Sequence, residues 1–225
     1  MGIISGILCV VCFCLLSTKA VTAKLHIKKI DKILMKMHKP ISALLIVLCC
    51  VHIFCVVRLL KNRSLLVVIS GITNTVLMIS LICFCHIIKD RKKKIMWHRI
   101  WTILMAVGIM GHFAAYIVDF NHYQMNIANI EIQEVDLENV EDGVYIGTCD
   151  VGYIYAKVEV EIIEGKIVSL NLLEHRNERG KRAENIIDIV LSEQKIDVDA
   201  ISGATNSSNV IKKAIENAIK TFDNF

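Results

Sequence analysis

Four long uncharged runs fill the first half of the chain: Met1–Thr18, Pro40–Val57, Ser64–Ile88 and Ile100–Val118. Each is about the length that crosses a ~30 Å hydrocarbon core as a helix, which takes about 20 residues. Residues 1–118 are therefore read as a transmembrane bundle of four helices. Past Val118 the pattern changes. Residues 119–141 are polar and acidic and read as a tether with a short helix, and order is expected from Asp142-Gly143 onward. Val144–Thr148 and Tyr153–Ile163 are rich in Val, Ile and Tyr, and Val158, Val160 and Ile162 alternate with Lys157, Glu159 and Glu161. A period of two marks a half-buried antiparallel strand. Glu164-Gly165-Lys166 is a turn into a third strand, Ile167–Leu173. Ala183, Ile186, Ile187 and Val190 then repeat at helical spacing, and Val210, Ile211, Ala214, Ile215, Ala218 and Ile219 mark a closing amphipathic helix. The fold class is multi-domain: a four-helix α-helical transmembrane bundle, then a small α+β domain over 142–225.

Composition agrees with this division. Apolar residues make up 54% of the chain and mean hydropathy is +0.53, which excludes a single soluble domain, a disordered chain and a disulfide-stapled miniprotein. The formal charge of +4 sits mainly in clusters between apolar runs, so it reports topology and not nucleic-acid binding. Seven lysines (Lys19, Lys24, Lys28, Lys29, Lys32, Lys36, Lys39) separate runs one and two, and Lys89, Arg91, Lys92, Lys93, Lys94 and Arg99 separate runs three and four. Basic loops stay on the cytoplasmic side. A multi-pass protein of the cell membrane follows, with everything after Val118 extracytoplasmic. Run one lacks a basic n-region and a clear small-residue cleavage site, so it is read as a retained helix and not a signal peptide. Eight of the nine cysteines lie inside apolar runs, where the thiol serves as a small hydrophobe; Cys149 alone falls outside.

The second run and the residues just before it carry His38 and His52, and the fourth with the residues just before it carries His98 and His112, both pairs fourteen residues apart. Fourteen steps of 100° return a side chain to within about 40° of its starting direction, about 21 Å along the axis. Both helices run from inside to outside, so His38 comes level with His98 and His52 with His112. Two facing imidazole pairs at two depths are what two six-coordinate b-type haems require. Read alone, His38 and His98 fit an interfacial role equally well beside Lys39 and Arg99. A mid-membrane histidine such as His52 or His112 marks function by default. Gly108 and Gly111 would let a porphyrin lie close, and equally would let helices pack closely. The spacing resembles that of the membrane cytochrome b and ferric-reductase-like families over about residues 34–118. That resemblance implies haem iron at all four histidines, with Arg99, Lys39 and Arg58 placed to neutralise propionates.

Between the two soluble helices stands Asp199-Ala200-Ile201-Ser202-Gly203-Ala204-Thr205-Asn206-Ser207-Ser208. Gly203 permits a sharp bend, Ser207 or Ser208 can cap the helix that follows, and Thr205 projects beside a helix N-terminus, where a phosphate is favoured. An ordinary cap reads the same way. The segment Asp142–Ile219 resembles the FMN-binding domain of subunits of the ion-pumping NADH:quinone reductase and Rnf complexes, and Asp199 through Thr205 matches that family's flavinylation string, Asp-x-x-Ser-Gly-Ala-Thr. The resemblance implies FMN joined through its phosphate to the Thr205 hydroxyl by a flavin transferase, with Asp199, Ser202, Gly203 and Ala204 in the motif. It also implies that Gly152 and Tyr153 shape the flavin pocket and that Glu174 and His175 lie near the isoalloxazine. Asn206-Ser207-Ser208 departs from the family's usual Thr-led hydroxyl pair.

The two halves together read as an electron-transfer flavocytochrome, an oxidoreductase component. Electrons would pass from a quinol or a cytoplasmic redox partner protein through two haems b to covalent FMN outside. No Gly-x-Gly-x-x-Gly fingerprint or P-loop is present, so neither NAD(P)H nor ATP is expected as a ligand. The alternative is a membrane-anchored FMN module of a larger redox complex, without haem. The expected partners are membrane lipid, the flavin transferase and the redox donor, and no nucleic acid.

Overall fold

A computed structural model describes residues 2–220. Met1 and residues 221–225, the extremes of the first and last regions read from the sequence, lie outside the described residues. The chain divides into two compact units, Met1–Lys61 with Leu65–Tyr116, and Asn62–Ser64 with Ile117–Phe225.

The first unit is helical. Helices α1 (Gly2–Lys24), α2 (Lys28–Val56), α3 (Leu65–Ile87) and α4 (Arg91–Ala128) cover the four apolar runs to within a residue at their ends, and all four are long and apolar enough to cross a membrane. Many of their large apolar side chains are exposed, Ile4, Leu44, Phe54, Leu66 and Phe113 among them. Such a face, apolar all round, suits lipid and not water. Polar contacts between helices are few and specific. Asn74 on α3 donates its amide to the Gly108 carbonyl on α4 at 3.0 Å, and a Cβ at Gly108 would meet Asn74 Oδ1 at 2.4 Å. Gly108 thus serves helix packing against α3, the second of the two roles its size allows. Cys9 and Cys49 pack side by side with their sulfurs 3.7 Å apart.

The second unit is a three-stranded antiparallel meander, β1 (Gly143–Asp150), β2 (Tyr155–Ile163) and β3 (Lys166–Arg176), crossed by α6 (Thr205–Lys220), with a short helix α5 (Ile186–Glu193) beside β3. Alternation in β2 turns Ala156, Val158, Val160 and Ile162 inward, all fully buried against Val210, Ile211, Ala214, Ile215 and Ala218 of α6. Gly147 makes this approach possible, since a Cβ there would lie 2.1 Å from Ala214 O and 2.3 Å from Ala218 N.

Residues 119–141, read above as a tether, are ordered. Helix α4 continues to Ala128, after which Ile130, Ile132, Val135 and Leu137 pack against the core. The intervening polar groups fasten the strip. Glu134 accepts the Ile196 and Asp197 N–H groups, and the Gln133 N–H donates to Glu216 on α6. Glu216 is fully buried, with Lys213 at 2.9 Å and Lys220 at 2.8 Å. Burial alone would raise its carboxyl, but the hydrogen bonds from Lys220, Lys213 and the Gln133 N–H hold it below the usual carboxylate range.

Candidate functional site

Helix α6 begins five residues earlier than its apolar spacing announces. Thr205 is its first residue and is exposed, while Ser207 and Ser208 are buried inside the first turn. They are therefore not the caps proposed from the sequence. Ser208 instead ties the preceding loop down, its Oγ accepting the Ile201 N–H at 3.1 Å. The Ala204 N–H donates to Ile201 O at 2.9 Å, and Gly203 makes the bend at φ +77°. Asp199, Ser202 and Gly203 line the exposed side of this loop, and Ala204 is buried beneath it. The result is a hydroxyl standing free at a helix start, where unpaired N–H groups and the helix dipole attract an anion.

Two other segments reach the same end of the sheet. The β1–β2 turn is built on Gly152 (φ +90°), whose N–H donates to Asp150 Oδ1 at 2.8 Å. Tyr153 in that turn stacks on Tyr123, centroids 4.6 Å apart, with Phe120 at its edge. Asn206, next to Thr205, donates its side-chain amide to the Tyr123 hydroxyl at 3.0 Å. Gly152, Tyr153 and the Thr205 turn thus belong to one cluster, joined by Tyr123, which the sequence reading passed over. The second segment is the end of β3. Register places His175 opposite Ala156 on the inward face, and a Cβ at Gly180 would lie 1.9 Å from Ser207 Oγ, so the loop after β3 rests directly on the first turn of α6.

His175 is 2% exposed, with Nδ1 3.1 Å from Glu184. Its Nε2 is buried and has no hydrogen-bond partner among the described residues. A buried, unpaired ring nitrogen costs about 1–3 kcal/mol. Glu174 stands differently. It is opposite Lys157 on the outer face, exposed, and paired with Arg176 at 3.2 Å. The structure brings His175 to the Thr205 end of the inward face and leaves Glu174 on the other side of the sheet.

In the first unit, His38 on α2 and His98 on α4 meet. His38 and His98 have ring centroids 6.1 Å apart and planes inclined at 67°. They line a cavity of about 470 Å³ together with His86, Cys85, Leu45 and Met105, among others. His98 Nδ1 is 3.5 Å from Cys85 Sγ, His112 Nδ1 is 2.8 Å from Ser70 Oγ, and His52 Nδ1 is 3.0 Å from the Gly2 carbonyl. Among the described residues no three metal-ligating side chains gather at one point. Ser70 and the start of α1 were not singled out in the sequence, because a serine in an apolar run gives no sign of what it touches.

Comparison with known families places the second unit. Residues 152–220 match the family model described as an FMN-binding domain. The C-terminal part of this chain is accordingly an FMN-binding domain, a flavoprotein fold suited to flavin-based electron transfer. No curated protein matches the chain, and no solved structure matches it.

Proposed function

We propose that the chain is a membrane electron-transfer flavocytochrome component. Its second unit would carry FMN as a phosphoester on Thr205 outside the membrane, and its first would hold two haems b across it. The observation that carries this reading is the exposed Thr205 hydroxyl at the start of α6, inside the matched FMN-binding domain. When bound, these groups would supply one- and two-electron carriers between a quinol or protein donor inside and an acceptor outside.

The residues fit both groups. At Thr205, a flavin transferase would break the pyrophosphate of FAD, bond the FMN phosphorus to Thr205 Oγ1 and release AMP with the hydroxyl proton. The N–H groups at the start of α6 would stabilise the phosphate, and His175 Nε2 offers a ring nitrogen in need of a partner. A covalent link suits an exported domain, which would otherwise lose its cofactor to the medium. For haem, the four histidines would supply the iron's protein ligands in pairs, and the bound group would supply a one-electron carrier. His38 and His98, whose ring centroids stand 6.1 Å apart, would hold one iron between them. The basic segments Lys28–Lys39 and Lys89–Arg99 would keep the His38/His98 level on the cytoplasmic side.

Thr205→Ala in the full-length protein, coexpressed with the transferase, is expected to lose the flavin fluorescence that survives denaturing electrophoresis, while Thr205→Ser keeps it. A fluorescent Thr205→Ala band would overturn the attachment. Fluorescence without any haem would leave the anchored FMN module as the function.

A further inference from the structure

The deep histidines are seated by the same two-residue step on two different helices. Ser70 Oγ meets His112 Nδ1 at 2.8 Å, and a Cβ on the adjoining Gly71 would lie 3.3 Å from the His112 ring. On the other hairpin, Ser5 Oγ is 3.3 Å from His52 Nδ1, and a Cβ on the adjoining Gly6 would lie 3.1 Å from the His52 ring. Each Ser-Gly step supplies a hydroxyl at Nδ1 and bare backbone beneath the ring. Hairpins α1–α2 and α3–α4 thus repeat one arrangement, with Ser-Gly on the first helix and paired histidines on the second.

The hydrogen-bond directions fit one tautomer. Ser70 donates its proton to Val67 O at 3.0 Å, and Ser5 donates its own to Gly2 O at 2.8 Å. With the protons so placed, each hydroxyl oxygen can accept from the Nδ1 of the imidazole facing it. The Gly2 carbonyl, 3.0 Å from His52 Nδ1, can only accept. Both rings then carry the proton on Nδ1 and a lone pair on Nε2, the form in which imidazole ligates a metal, oriented by an outer hydrogen bond.

We propose that Ser5-Gly6 and Ser70-Gly71 are positioning seats that fix His52 and His112 as Nε2 ligands of the outer haem. This rests on the haem reading above. Loss of such an outer-shell partner typically weakens metal retention by about 10–100-fold.

The test uses the full-length protein purified with haem supplied, scored for haem per chain and for the midpoint potential of each haem. Ser70→Ala and Ser5→Ala are expected to lower retention of one haem by about 10-fold or more at limiting haem, or to shift its potential, while the other haem keeps its own. Ser70→Thr, which restores the hydroxyl, is expected to return both values toward wild type. Flavin fluorescence on the second unit serves as the folding control. Two haems with unchanged retention and potentials in both alanine variants overturn the seats and leave the haem reading standing. A wild-type protein without haem overturns that reading and the seats with it.

Discussion

Gly147→Ala isolates the contact that holds α6 on the sheet. The added methyl would sit 2.1 Å from Ala214 O and 2.3 Å from Ala218 N, the two ends of one helical hydrogen bond in mid-α6. An ordinary contact begins near 3.4 Å, so strand and helix must part by about 1.3 Å or the hydrogen bond must break. A radial gap of 0.5–1 Å already forfeits a quarter to a half of each dispersion contact, and the apolar face of α6 is fully buried. A cost of about 3 kcal/mol, high in the range for overpacking, corresponds to roughly a 150-fold rise in local opening. Peptide-resolved hydrogen exchange on the full-length protein measures that opening directly. Amides of α6 should lose about two orders of magnitude of protection in Gly147→Ala. Gly143→Ala on the same strand should lose little, because its Cβ meets only the Tyr145 ring at 3.4 Å or more. Equal protection of α6 in wild type and Gly147→Ala would refute the packing described here.

Glu216 gives a pH signature. Its carboxyl is lowered in the folded state, so the stability it contributes is complete above the ordinary glutamate range and is lost as pH falls through the lowered folded value. Exchange protection at the Gln133 amide should therefore fall on acidification in wild type and fall less in Glu216→Gln; identical acid limbs would remove Glu216 as the cause. Cys149 is half-buried, and burial, partly offset by Lys213, pushes its thiol up to about 11. Against an ordinary value of 9.0 that leaves about a hundredfold less thiolate at neutral pH. Peptide-resolved alkylation should modify Cys149 far more slowly than a cysteine at exposed position 195, so Lys195→Cys is the better outside-labelling probe. Rapid modification of native Cys149 would contradict its burial.

The elements that a local pattern announces were legible in the sequence. Val158, Val160 and Ile162 alternate because one face of β2 meets α6 and the other meets water, and the fourteen-residue histidine interval places imidazoles on one side of each helix. What escaped depends on partners distant in the chain. The segment 130–137 alternates too, with Ile130 and Ile132 between Glu131 and Gln133, but its acidic character suggested solvent, whereas Gln133 and Glu134 are fasteners. Glu216 with Lys213 and Lys220 reads as a solvated helix face until the strip covers it. Thr205-Asn206-Ser207-Ser208 looks like a cap because its residues favour caps, yet Gly180 and Ile201 bury its serines in the first turn. His175 and Glu174 are neighbours in sequence and are divided by the pleat of β3.

The most direct test of the electron-carrying account is the reduced-minus-oxidised absorption spectrum of the full-length protein, purified after expression with haem, flavin and the flavin transferase. The account predicts b-type haem bands amounting to two haems per chain together with bleaching of a flavin band. A spectrum with flavin alone would reduce the first unit to an anchor, and one with neither would contradict the account as a whole.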